Sequence, residues 1–428
     1  MRQLPGRAML TPMPRHLLLA LALLCLVACN TASPMAPATA AFPPAPTVAA
    51  TGNMPPAPSP AASSEVFVPL LPGGANEPAT PTNAPPAEPT AAPPTDLPSA
   101  DPPATDAPPP AATPYVSNIP DTTPRPELGP SKLGIHVARP NSPAIMEFVR
   151  AARPAVVKGV DDLGFLAEVK AASPGTVTIG RLSVEPQEYG GEPEAAAAAL
   201  VAAQLPQLVQ HPYVEYWEGW NEPAPNLDRM EWYARFEAER VRQLAAHGLR
   251  AAVGGFSTGV PELDEFALFV PAIEAAQAND GILTLHEYAA PDLTFLYGDP
   301  LPGYPTYPDR GPLLFRYRWF YRDVLEPRGL VVPLVISEAG IDGILGNRPG
   351  PQGLGWQEFQ EFWVAQGWGP DGQTAFLNQL QWLDNEARQD EYVIGYALFT
   401  AGGGRAWDTY ELDPFLPRLA EYVVSQWP

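Results

Sequence analysis

A chain of 428 residues carrying a formal net charge of −22 disfavours nucleic acid or an anionic membrane surface as a partner. Its 2 cysteines exclude a disulfide framework, and both fall near the N-terminus, so the rest of the chain has no thiol for redox or metal chemistry. Most of its 58 prolines precede about residue 130, so composition divides the chain before fold does.

Arg2, Arg7 and Arg15 lead into a short apolar run from Leu17 to Ala28. The run is too short to span a bilayer comfortably, which favours a cleaved export signal over a membrane helix. It ends in LVAC, Leu26 to Cys29, which resembles a bacterial lipobox. On that reading 1–29 is a lipoprotein signal, Cys29 becomes the lipid-modified N-terminus and Cys25 is discarded. The implied location is the extracellular face of a bacterial membrane, with the lipid as the sole membrane contact; plain secretion is the alternative.

Residues 30–130 are Pro, Ala and Thr with scattered acids, as in PTNAPPAEPTAAPP. Proline lacks the N–H and clashes with the preceding turn, and little apolar area offsets ordering entropy. A disordered, semi-extended linker is expected there. VFVPLLP (Val66 to Pro72) is its one apolar island.

From 131 to 428 the pattern changes to one domain's worth of sequence. Eight apolar runs follow in order: KLGIHVA from Lys132, AVVKGVDD from Ala155, TVTIGRL from Thr176, YVEYWEGWNE from Tyr213, RAAVGGF from Arg250, GILTLHEY from Gly281, PLVISEAG from Pro333 and VIGYALFT from Val393. Helical stretches such as EPEAAAAALVAAQLPQLVQ, MEWYARFEAERVRQLAAHG and FLNQLQWLDNEARQ lie between them. Near-continuous apolar strands alternating with helices predict parallel strands buried on both faces. At this length a (β/α)8 TIM barrel is the natural closure, and no glycine-rich phosphate loop follows the first strand to support an open doubly wound sheet.

In such a barrel the chemistry sits at the C-terminal strand ends. Those ends offer His136; Asp161 and Asp162; Arg181; Trp220, Asn221 and Glu222; Phe256 and Ser257; His286, Glu287 and Tyr288; Glu338; Phe399 and Thr400. Glu222 ends the fourth run before Pro223, and Glu338 closes the apolar seventh. A carboxylate ending an apolar strand is costly unless it faces a polar cleft. Strands four and seven stand on roughly opposite sides of a barrel, so the two carboxylates can meet across its mouth. Facing carboxylates are what glycosidic cleavage requires, one protonated to donate and one ionised to attack or to activate water.

NEP at the fourth strand end, SEAG at the seventh and HEY at the sixth resemble the signatures of the clan-A glycoside hydrolases, retaining (β/α)8 enzymes. The resemblance covers 131–428 and implies cleavage of O-glycosidic bonds in a poly- or oligosaccharide by double displacement. It assigns Glu222 as general acid/base and Glu338 as nucleophile. It gives Asn221 to the sugar 2-hydroxyl and Tyr288 or His286 to the nucleophile. It implies no cofactor. Many members end strand eight in a Trp; here the run is YALFTAGGG, leaving Phe399 or Trp407 for that place. Some place an Arg on strand two; here Asp161 and Asp162 stand there, and Arg181 on strand three is the nearest substitute. The alternative is a non-catalytic carbohydrate-binding surface lipoprotein on the same scaffold.

The remaining polar residues read more plainly. Glu218 contacts a neighbouring strand or Arg181, and Glu215 is exposed at the N-terminal rim. Glu287 points away from His286 and Tyr288 by strand alternation. His136 is a substrate contact or a satisfied core histidine. Asp161 and Asp162 bind sugar hydroxyls or cap a helix. Arg316 and Arg318 pair on a solvated or inter-helix face. The stretch from about Asp342 to Gly372 is too long for a simple turn; at least one of Trp356, Trp363 and Trp368 is expected to stack on sugar, the alternative being that they pack the loop onto the barrel. No metal motif is present. The partner expected is carbohydrate alone, and the protein is expected to be a monomer.

Overall fold

The structure, a computed structural model, describes residues 129–184 and 186–428. The export signal, Cys29, the Pro-rich linker and VFVPLLP lie outside the described residues.

Eight strands run in chain order: β1 (Leu133–Val137), β2 (Val156–Val160), β3 (Val177–Arg181), β4 (Tyr216–Trp217), β5 (Ala252–Phe256), β6 (Ile282–Ala289), β7 (Leu334–Ile341) and β8 (Val393–Ala401). They form one sheet in the order β4-β3-β2-β1-β8-β7-β6-β5, and every pairing in it is parallel. A parallel bridge between Trp217 and Ala251, with the Trp217 N–H donating to the Arg250 carbonyl at 2.9 Å, ties β4 to the start of β5 and closes the barrel. The (β/α)8 barrel read from the alternation of runs is the fold observed.

The main connections are α1 (Pro143–Ala152), α2 (Leu166–Ala172), α3 (Pro193–Leu208), α4 (Leu227–Ala246), α5 (Leu263–Leu268), α6 (Val270–Ala278), α7 (Gln360–Ala365), α8 (Gly372–Ala387) and α9 (Leu416–Ser425). Between β6 and β7 the chain winds through Tyr317–Trp319, Phe320–Leu325 and Glu326–Arg328 in successive α, π and 3₁₀ turns. α1 shows why these stretches are helical. Ser142 caps it by accepting from the Ala144 N–H, Pro143 starts it, and Ile145, Phe148, Val149 and Ala152 make one buried stripe.

Strand parity sorts the barrel wall into two faces. Outward residues such as Val157, Val253, Leu283 and Ile336 join the large core shared with the helices. Inward residues Val156, Val177, Ile179, Tyr216, Ala252, Ile282, Val335 and Ala397 form a separate apolar plug near the strands' N-terminal ends. Continuing along the same inward rows, Val156 leads to Lys158, Ile179 to Arg181, Tyr216 to Glu218, and Ile282 to His286 and Tyr288. Charge therefore sits directly above the apolar plug.

Strand four differs from its expected span. Only Tyr216–Trp217 is regular, although Glu215 N–H still donates to the Thr178 carbonyl and Glu218 N–H to that of Gly180. After Glu218 the chain leaves β3, and Glu222 adopts a left-handed φ of 46°. Glu215 also departs from expectation: it is 2 % exposed and ion-paired with Lys170. A carboxylate at this packed end of the wall needs a cation beside it, and Lys170 of α2 supplies one.

Candidate active site

Glu338 sits at the centre of the barrel mouth, 6 % exposed. Its Oε1 accepts from Lys158 Nζ at 2.9 Å and from Arg181 Nη1 at 3.1 Å. Its Oε2 accepts from the Tyr288 hydroxyl at 3.1 Å and lies 3.5 Å from His286 Nδ1. That same His286 nitrogen is 3.0 Å from Glu222 Oε1. Oxygens of Glu222 and Glu338 lie within 4.8 Å of one another. Glu222 is nearer solvent, its side chain 20 % exposed against 8 % for Glu338.

A backbone irregularity aims Glu338. Along β6 and β7 Leu285 pairs with Ile336, but His286 pairs with Glu338, so Ser337 is one residue too many. Val335 faces the interior, and simple alternation would send Glu338 outward. The extra residue re-aims it inward, beside His286.

Burial disfavours the Glu338 carboxylate, but His286, Lys158 and Arg181 outweigh it and hold the group well below the usual carboxylate range. Glu338 is thus ionised at neutral pH. Burial, with Glu338 adding to it, raises the Tyr288 phenol well above its ordinary value, so it stays a donor. Burial pushes His136 down to about 3, with Lys158 and Arg181 assisting against Glu338. The neutral His136 ring pairs through Nδ1 with Thr400 Oγ1 at 2.6 Å, leaving Nε2 buried without a hydrogen-bond partner.

The other expected residues fall in several places. Asn221 accepts from Arg181 Nη1 and so lies beside the carboxylates. Phe399 is half-buried, 4.8 Å from the His136 ring and 6.1 Å edge-on from Tyr288, with Trp407 packed on it at 5.1 Å. Trp220 turns into an aromatic cluster with Trp232, Tyr233 and Phe236 of α4. Asp161 accepts from the Ser183 N–H and hydroxyl, both at 2.7 Å, and so ties two loops together. Neither Asp161 nor Asp162 caps α2, whose capping position is Phe165 without a side-chain bond. Glu218 contacts Lys158 at 2.7 Å and Arg181 at 3.8 Å.

Two of the three tryptophans after β7 are packing residues. Trp356 is 2 % exposed and stacks on Phe376; Trp363 is fully buried and donates to the Pro291 carbonyl at 2.7 Å. They pack the long loop onto the barrel, leaving only half-buried Trp368 with an open side. Arg316 and Arg318 are buried; Arg318 pairs with Asp390 at 2.7 Å and Glu386 at 3.3 Å.

Sequence reasoning missed Lys158, which is fully buried yet touches two carboxylates. The signal was present as a single lysine inside the apolar run AVVKGVDD. It also missed Asp342, which accepts from the Tyr410 hydroxyl at 2.8 Å. Glu222, His286 and Glu338 each offer a ligand-type atom to one small volume.

No family model and no curated protein matches the chain. Among solved structures it is similar to the endoglucanase Cel5A of Pseudomonas stutzeri at 14 % identity and a TM-score of 0.39, over 68 % of this chain and 93 % of that one. It is similar to PbGH5A, a glycoside hydrolase family 5 enzyme from Prevotella bryantii B14, at 11 % identity and a TM-score of 0.39, over 69 % and 94 %. It is similar also to Saccharomyces cerevisiae Gas2p in complex with laminaritriose and laminaritetraose, at 13 % identity and a TM-score of 0.38, over 70 % and 65 %. Likeness at this level bears on neither substrate nor mechanism.

Proposed function

We propose that the protein is a retaining glycoside hydrolase acting on a poly- or oligosaccharide. The observation that carries this reading is the approach of the Glu222 and Glu338 oxygens to within 4.8 Å. Retaining enzymes hold their carboxyl groups about 5–5.5 Å apart, whereas inverting ones leave roughly 6.5–9.5 Å for a water.

In the first step Glu338 attacks the anomeric carbon as the glycosidic C–O bond breaks, and Glu222 gives its proton to the departing oxygen. In the second a water attacks that carbon, Glu222 takes its proton, and the ester bond to Glu338 breaks. Oε1 of Glu338 is held by two cationic side chains, whereas a phenol and an imidazole approach Oε2, which leaves Oε2 the freer oxygen for attack. Glu222 Oε1 faces His286 Nδ1, so with the ring proton on Nδ1 the catalytic proton rides on Glu222 Oε2. Phe399 and Trp407 offer apolar faces beside the reacting centre.

The barrel is carried, on this proposal, by a lipid-anchored stalk: LVAC supplies the acyl-acceptor Cys29, and the Pro-rich segment supplies the spacer. The function is tested by incubation with a panel of 2-deoxy-2-fluoro glycosides carrying activated leaving groups, followed by peptide mapping. The expected result is one glycosyl adduct, on Glu338. An adduct on another residue, or no adduct with any sugar whose glycosides the protein cleaves, refutes it.

A further inference from the structure

Lys158 is the least expected residue of the barrel interior. It stands in the middle of β2, where its Cα is paired with His136 of β1 and Ile179 of β3, one layer below Arg181. Its side chain is fully buried, and its ammonium crosses the interior to meet Glu218, which follows β4, at 2.7 Å and Glu338 on β7 at 2.9 Å. One cation thus serves two carboxylates on well-separated strands. Glu218 has no direct part in the proposed chemistry, and its Oε1 is buried without a hydrogen-bond partner. A buried ion pair is a poor means of gaining stability, because desolvation offsets the attraction, so this pair asks for another account.

The account lies in the charge around Glu338. The titratable and charged groups facing it are His136 from β1, Lys158 from β2, Arg181 from β3, Glu218 from the chain after β4, Glu222 beyond it, and His286 and Tyr288 from β6. Two fixed cations face it, and without Glu218 both would bear fully on one carboxylate. A nucleophile so held is fixed in place but weakly basic, which slows attack and hastens departure. Glu218 competes for the same ammonium.

We propose that Lys158 and Glu218 form a positioning pair for Glu338, in which the lysine fixes Oε1 from beneath and Glu218 draws off part of its charge, so that the nucleophile keeps more basicity than two unshared cations would leave it. The proposal rests on Glu338 being the nucleophile. Its electrostatic content belongs to the protein without substrate. A structural salt bridge would lose stability when either partner is removed; a tuning pair moves Glu338 in opposite directions according to which partner goes.

The test is a 13C NMR titration of the full chain labelled at the glutamate δ-carbons, with the Glu338 resonance identified by its loss in Glu338→Gln. In Lys158→Met the Glu338 midpoint should rise by at least one pH unit, roughly a tenfold weaker acid. In Lys158→Met/Glu218→Gln it should fall back from that value, because a buried negative neighbour has gone. Lys158→Arg should stay close to the parent. A midpoint unmoved in Lys158→Met overturns the lysine's role, and a double variant no lower than Lys158→Met overturns that of Glu218. Should Lys158→Met fail to fold with Glu218 left unpaired, the double variant is compared with the parent: the nearer charge lost is the cation, so its midpoint must rise, and an unmoved midpoint overturns the proposal. Activity plays no part in this readout, so failure on every glycoside would sink the glycosidase reading alone.

Discussion

Glu287 provides the sharpest quantitative prediction. It lies between His286 and Tyr288 on β6 but faces outward, 2 % exposed, into the packing of the following helical segment. It accepts from the Phe315 N–H at 2.9 Å, the Tyr317 N–H at 3.3 Å and the Tyr396 hydroxyl at 3.3 Å. Those bonds fasten the segment behind the strand that carries two site residues. Burial raises the Glu287 carboxyl from 4.5 to about 7, against the opposing pull of its hydrogen bonds. The folded-state value lies above the unfolded one, so the stabilising contribution is complete below about pH 4.5 and is lost as pH rises through about 7. At 1.36 kcal/mol per unit the loss amounts to about 3 kcal/mol.

Glu287→Gln removes this dependence, because an amide does not titrate. It keeps one acceptor oxygen and turns an NH₂ group toward a donor that previously faced an oxygen, which costs about 1–3 kcal/mol at every pH. Urea unfolding of parent and variant across pH 4.5 to 8 should therefore show the parent's advantage at the acid end vanish or reverse at the alkaline end. Taking the difference between the two proteins cancels the other buried acids, such as Asp342 and Asp384, whose values burial also raises. Parallel stability curves would refute the assignment of a titrating, buried carboxyl.

Tyr288→Phe deletes the 3.1 Å donor to Glu338 Oε2. A hydrogen bond to a charged group contributes about 1.5–3 kcal/mol, so kcat/KM should drop roughly 10- to 100-fold in steady-state assays, with the acid limb of the pH profile moving up. Glu222→Ala should lose activity on poor leaving groups while still forming the glycosyl-enzyme from activated aryl glycosides, and added azide should restore turnover as a glycosyl azide; unaltered leaving-group dependence would remove Glu222 from the acid role. Cys29→Ser should abolish incorporation of labelled palmitate and shift the protein from the membrane pellet to the soluble fraction.

The barrel was legible because its signal repeats. Eight apolar runs separated by helical stretches leave few other closures, and each run holds a strand, the fourth only the short Tyr216–Trp217. Helix ends were legible for the same local reasons: α4 stops where His247 and Gly248 follow, and Gly248 takes the left-handed φ of 72°. The strand-end rule also brings Arg181, Asn221, His286 and Tyr288 to one mouth with the two glutamates. What it could not reveal were side chains that reach the mouth from a lower layer. Lys158 lies in mid-strand, and only the length of its four-carbon stem carries the ammonium up to Glu338. The tryptophans of the long loop read equally as sugar platforms or as packing because composition cannot say which side of a ring is covered; Trp356 is covered by Phe376 and Phe415.

Strand parity explains both what was visible and what was hidden. Run upward from the apolar plug, it turns Lys158, Arg181, Glu218, His286 and Tyr288 inward without exception. Run along β7 from Val335, it would turn Ser337 inward and Glu338 outward, into the helix-facing core beside Ile336. A carboxylate there would meet apolar side chains and no cation, at a cost of several kcal/mol. The extra residue at Ser337 avoids that outcome, and the unpartnered buried Ser337 hydroxyl marks where the ladder gives way. The motif SEAG thus names the carboxylate, but a departure from regular strand geometry puts it in the cleft. Removing that irregularity would keep every side chain of the motif and lose the site.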